Sequence, residues 1–235
     1  MQIDIGRAFA FITEDDSWIT KIVIGGLIQI IPFVGILALL GYTVELARNV
    51  VERKPQPLPD WSDFGGKFIK GLIYFVISLV YVIPLLVLVF AYIIILAIVG
   101  VALGGGSEDA AAGIIALGSL CLYPLVFVLG IVTQMFIYAA LVRYIQTDRL
   151  GDALQFGSVI AQVRGDLRTW GFLLLVGILC GLVGSLGSIA CGIGVLFTLV
   201  FGQAALGHVL GQVAAQMSTA GGHDFGQNRY DPSMM

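Results

Sequence analysis

The chain has 235 residues, 58% hydrophobic and 11% charged, with 12 basic against 15 acidic side chains and a mean hydropathy of +0.99. So small a polar fraction cannot cover a water-facing surface without leaving large apolar patches, which excludes an ordinary soluble domain and points to a polytopic, all-α integral membrane protein. The net charge of -3, without a basic cluster, argues against nucleic acid as a partner. Cys121, Cys180 and Cys191 are odd in number and lack Cys-x-x-Cys spacing, so they read as small buried hydrophobes.

In chain order, Ile5, Ala8, Phe9 and Ile12 fall on one helix face, predicting a short amphipathic helix lying on the membrane surface. Met1 to Ile12 lacks the organisation of a secretory signal, so the N-terminus is expected to be retained. Thr13 with Asp16 predicts a helix start, after which Trp18, an interface-preferring aromatic, opens an apolar run to Val44. Pro32-Phe33-Val34-Gly35 breaks that run as either a kink or a hairpin tip. Arg7 and Lys21 before the run, and Arg48, Arg53 and Lys54 after it, favour a hairpin with both ends cytoplasmic. Glu45, Arg48 and Glu52 read as a solvated or loosely paired cluster.

Pro55-Gln56-Pro57-Leu58-Pro59 is a stiff linker, and Trp61, Phe64 and Phe68 predict a second surface helix behind it. From Gly71 to Val142 there is no Lys, Arg or His, and the only charges are Glu108 and Asp109. This is long enough to cross a bilayer twice, turning at residues 104–109 with its acidic tip outside. Its arms, about residues 67–103 and 110–145, exceed the bilayer, and Pro84 and Pro124 in them are expected either to bend long helices or to add breaks.

The arrangement recurs a third time. Phe156, Val159, Ile160 and Val163 repeat the opening spacing, and Arg164, Arg168 and Trp170 precede a glycine-rich hairpin that turns near residues 188–192. The expectation is one membrane domain over residues 1–217, built of repeat-like units at about 4–54, 60–148 and 152–217. Each unit would be a surface helix plus hairpin, giving six spans, with a polar tail over 218–235. Trp18, Trp61, Phe64, Phe156, Ile160 and Trp170 are the expected interfacial residues. Gly177, Gly181, Gly184 and Ser185 have the small-residue spacing of a helix-packing or partner face. His208, Gln212 and Gln216 form a polar stripe on the last helix, read as an interhelical hydrogen-bonding face in preference to a haem or pigment ligand. Asp63-Phe64-Gly65 and Asp224-Phe225-Gly226 match a kinase metal-binding triplet but lack its surroundings.

The run Pro57-Leu58-Pro59-Asp60-Trp61-Ser62-Asp63-Phe64-Gly65, followed by a Gly-containing apolar segment, resembles the signature of an uncharacterised bacterial and archaeal integral-membrane family, domain of unknown function 4013. The resemblance implies a prokaryotic cell membrane and an all-helical fold, and brings no assigned site residues with it. From the residues themselves, a non-enzymatic component binding protein partners, lipid or a second copy of itself competes with a small transporter for an uncharged or lipid-like solute. Catalysis is the least expected, since the apolar segments hold no paired carboxylates, metal-ligand cluster or Ser/His arrangement, and no cofactor is implied.

Overall fold

A computed structural model describes residues 3–103, 107–189 and 192–220. Cys191, the tip glycines 104–106 and the tail from 221, with Asp224-Phe225-Gly226, lie outside the described residues. The described chain is helical: α1 (Ile5–Glu14), α2 (Trp18–Ile28), α3 (Val34–Val51), α4 (Phe64–Leu103), α5 (Glu108–Thr147), α6 (Leu150–Ala153), α7 (Phe156–Gly165), α8 (Leu167–Leu186) and α9 (Gly194–Ala220). Polar side chains set the helix starts by satisfying first-turn amides. Asp4 accepts from Arg7 N, Asp63 from Gly66 N, Ser107 from Ala110 N and Asp166 from Thr169 N.

Five of these helices, α3, α4, α5, α8 (with the turn after it) and α9, are long and apolar enough to cross a membrane. The 11-residue α2 is about 16 Å long at 1.5 Å per residue, well short of a bilayer, so it does not supply a sixth span of that length. Pro32-Phe33 forms a turn between α2 and α3. Gly35 is required beside it, because a Cβ there would lie 2.5 Å from the Ile28 carbonyl oxygen. Pro84 and Pro124 are not tips, since each lies inside a continuous 40-residue helix.

The core gathers at one end. Tyr42, Leu46, Ile77, Leu141, Trp170 and Leu210 are among its most buried members. At its centre α9 touches α1, α2, α3, α5 and α8. The closest approach is between α3 and α4. A Cβ on Gly41 would sit 1.7 Å from the Lys67 carbonyl oxygen, and one on Gly71 would sit 1.7 Å from that of Leu37. Each glycine thus admits the other helix's backbone. On its other side α3 meets Gly207 and Gly211 of α9, whose added Cβ atoms would lie 2.8 Å from Thr43 O and 2.6 Å from Ala47 O.

The structure departs from several of these expectations. No separate surface helix follows the proline linker, because Asp63 caps α4 directly and Phe64 is its first residue. Thr13 does not cap α2. It bonds back to Ala10 O, while Asp15 takes the Ser17 amide. The apolar face of α1 turns inward, with Ala8, Phe11 and Ile12 buried in the core, and α7 does the same through Val159 and Val163. Trp170 is fully buried and donates to Gln162 O, so it does not meet the lipid interface. The small-residue face of α8 divides. Gly177 packs on Tyr138 and Gly184 on Leu199, whereas Gly181 and Ser185 are exposed and Gly181 has nothing within 4 Å of an added Cβ. Ile5, Phe64 and Phe156, each followed by glycine, are the first residues of α1, α4 and α7.

These contacts rank the glycines. Gly71→Leu is expected to lower unfolding stability in detergent by at least the about 1–3 kcal/mol typical of overpacking, because rigid backbone and not a flexible side chain must give way. Gly181→Leu is expected to leave it unchanged. Equal losses in a thermal or SDS unfolding series would refute this ranking.

Candidate functional site

The chemistry-bearing side chains collect at the end of the bundle where α3 finishes and α4 begins. Glu45 lies one helical turn beyond Gly41, and Lys67 one turn before Gly71, so the glycine crossing brings the two charges together. Lys67 Nζ donates to Glu45 Oε1 at 3.0 Å and Lys70 Nζ to Oε2 at 2.8 Å. The Lys67 side chain is 0% exposed. The cluster expected around Glu45 therefore differs in membership and in burial. Arg48 instead pairs with Asp148 and lies over the Tyr144 ring, 4.9 Å from its centroid.

A second cluster fastens the linker. Lys21 Nζ donates to Asp15 Oδ2 at 2.6 Å and to the Leu58 carbonyl at 2.9 Å, while the Trp61 indole donates to the Lys21 carbonyl. Trp61 also stacks on Tyr42 with ring centroids 4.8 Å apart. Trp61, expected at the lipid interface, is thus partly buried against protein. The Tyr42 hydroxyl is buried and has no hydrogen-bond partner among the described residues. Burial raises the energy of the Asp15 carboxylate, but hydrogen bonds from Lys21 and Ser17 outweigh it and hold the group below its ordinary value of 3.8.

The polar stripe on α9 receives α1. Gln212 accepts from Asp4 N at 2.9 Å, donates to Asp4 O at 3.1 Å and approaches His208 Nδ1 at 3.0 Å, and the His208 ring stacks on Phe11 at 4.3 Å. Gln216, one turn on, is also engaged. Beside this contact is a cavity of about 430 Å³, lined by Arg7, Glu14, Arg53, Lys54, His208 and Gln212 among others. Its mixed charge suits a polar ligand or a protein segment better than a bare anion. Among the described residues no three of His, Cys, Asp and Glu are grouped to hold a metal ion. A second, apolar groove of about 250 Å³ lies between α4, α5 and α7, where Phe156 and Ile160 meet Tyr81, Pro84 and Phe136. It brings two of the expected interfacial residues together. Phe64, at the start of α4, is exposed, and Trp18 is partly buried against the core.

Removing the Glu45 charge strands a buried ammonium group. Glu45→Gln is therefore expected to cost about 3–5 kcal/mol of unfolding stability, against at most about 1 kcal/mol for a half-exposed pair such as Lys54–Glu52. The double variant Glu45→Leu/Lys67→Met should recover most of that loss, and a cycle without recovery would show that the pair is not coupled. Tyr42→Phe keeps the stack and deletes the orphan hydroxyl, so it should be neutral or stabilising by up to about 1–3 kcal/mol. The pH dependence follows from Asp15. Its contribution is complete above the ordinary carboxylate value and lost as pH falls through its lowered one, so the stability lost on acidification below about pH 3.8 should be smaller in Lys21→Met than in the parent, read from unfolding midpoints against pH.

A search of curated proteins finds no match, and neither does a search of solved structures. The family model described as protein of unknown function, DUF4013, matches residues 24–193, from α2 through the turn before α9. The match covers the linker, the α3–α4 crossing and its buried charges, and on it the chain belongs to the DUF4013 family.

Proposed function

We propose that this protein is a non-enzymatic component of a prokaryotic cell membrane, acting by association with protein partners, lipid or a second copy of itself, with N- and C-termini on the cytoplasmic side. The observation that carries this is the use made of its charges. Lys67, Lys70 and Arg48 are each spent on an acidic partner in another helix or turn, and Lys21 on the neighbouring Asp15 and the Leu58 carbonyl of the linker. Such ties support a scaffold. The outward-facing Gly181 and Ser185 supply a small-residue strip on α8 where another helix fits closely.

A second reading, carriage of an uncharged or lipid-like solute, has its own observation in the apolar groove beside Pro84. Proteoliposome flux and native mass in mild detergent separate the two. Under the association reading, Gly181→Leu lowers the assembled mass while unfolding stability is unchanged, and Gln134→Leu leaves the mass as it was. Specific flux abolished by Thr133→Leu or Gln134→Leu, with assembly intact, would replace association by transport.

A further inference from the structure

The three hairpin tips do not lie at one level. Gly71 of α4 meets Leu37 of α3, so Val34, where α3 begins, stands beside about residue 74 of α4. From there α4 runs on for about 29 residues, roughly 44 Å at 1.5 Å per residue. On the other flank Gly177 of α8 meets Tyr138 of α5, so Leu186, where α8 ends, stands beside about residue 129. About 21 further residues, roughly 31 Å, lie between that level and the start of α5. A 40° tilt, the extreme for membrane helices, would still leave a depth of about 24 Å. The hydrocarbon core is about 30 Å thick, so the three tips cannot all reach its far surface.

The tips also differ in chemistry. Ser107, Glu108 and Asp109 are exposed at the end of the central hairpin. The outer tips expose Ile30, Ile31 and Phe33 on one side and Ile189 and Ile193 on the other. No charged residue occurs between Lys21 and Glu45, or from Thr169 to the end of α9. Polar side chains near the outer tips fold back onto backbone carbonyls: Gln29 donates to Gly35 O, Ser185 to Leu182 O, Ser188 to Ser185 O and Thr198 to Gly184 O. Internal satisfaction of this kind is what hydrocarbon demands of a helix break. Meanwhile the central hairpin beyond those tips exposes Val87, Phe90, Ile94, Ile98, Leu117, Leu120 and Phe127, and no residue of the most apolar 18-residue window of α4 or α5 is buried.

We infer that only α4 and α5 cross the bilayer, that the α8–α9 tip, about 24–31 Å short of the far surface, enters only the near leaflet, and that the α2–α3 tip, about 34–44 Å short of it, goes no deeper than the near surface. Ser107 to Asp109 mark the far surface. The alternative placement puts the outer tips at the far surface and about 30 Å of bare apolar hairpin into water beyond it. Both placements keep the termini on one side, so terminal tags cannot separate them. This inference requires a membrane but not the association reading, which is tested by assembled mass.

The experiment uses single cysteines at exposed positions in a background lacking the native three, probed with an impermeant maleimide in sealed proteoliposomes of known orientation. Ser107→Cys is expected to label from the far side. Ser188→Cys and Leu120→Cys should label from neither side until detergent is added, and Ile31→Cys should not label from the far side. Doxyl-lipid quenching of a fluorophore should place Ser188 in the near leaflet and Ile31 at the near interface. Far-side labelling of Ile31→Cys and Ser188→Cys together with Ser107→Cys would overturn the proposal in favour of a spanning body. Labelling of Leu120→Cys would do so too, as would a Ser107→Cys that is unreactive from both sides.

Discussion

The meeting of α3 and α4 at Gly41 and Gly71 is the contact on which the rest of this structure depends. In a bilayer, helices gain nothing by hiding from lipid, so association rests on close packing and polar contacts. This crossing supplies both within one turn. The glycines let backbone touch backbone, and that approach brings Glu45 within reach of Lys67 and Lys70. A side chain at either glycine would separate the helices and leave the Lys67 ammonium, which is fully shielded, without its counter-charge. Packing and electrostatics are therefore conditional on each other here, as they are not for a surface ion pair.

The rest of the charged end is assembled on that crossing. With α4 on one side and the glycines of α9 on the other, α3 is held along most of its length. The proline linker then folds back over the assembly. Asn49 donates to Pro57 O, Lys21 to Leu58 O, and Trp61 both donates to Lys21 O and stacks on Tyr42. The Pro57–Gly65 run that carries the family resemblance is thus a strap joining α2, α3 and α4, and its tryptophan is an internal fastener. α1 closes the same end by docking on His208 and Gln212.

The sequence made the class of fold and the main boundaries legible because both depend on local composition. The proline linker, the turn at Pro32, the turn after α8 and the long central arms all follow from runs of apolar residues broken by Pro, Gly or charge. The faces of the short helices were less legible. The 3.6-residue spacing of Ala8 and Ile12, or of Val159 and Val163, states that a face is apolar, and protein interior satisfies that as well as lipid does. Trp170 misled for the same reason, since an amphipathic ring near basic residues suits an interface and a buried hydrogen bond equally. The Gly41–Glu45 and Lys67–Gly71 pairs could have been found. On antiparallel neighbours, a glycine one turn from a charge, opposed by the mirrored pair of opposite sign, marks a close crossing that buries an ion pair. The family match covers the same elements without adding an activity to them.

The division of labour along the molecule follows from what each end can satisfy internally. At the charged end side chains meet one another, and the groups that do not, such as the Tyr42 hydroxyl, are exceptions. Beyond Pro84 and Pro124 the central hairpin has almost no polar group to satisfy. Tyr92 donates to Gly118 O across the pair, and Gly100 and Gly118 admit Ile115 and Leu96. Two helices joined only by such contacts bury little of their own surface and need an apolar solvent around them. The turn after α8, uncharged and self-bonded, suits the same solvent. Beyond the outer tips the molecule narrows to α4 and α5, so in a hydrocarbon layer about 30 Å thick only these two helices would reach the far side. That narrowing, set by the register of Gly71 against Leu37, makes the charged end broad and the far end narrow, so partners meeting the two faces of the membrane would find very different surfaces.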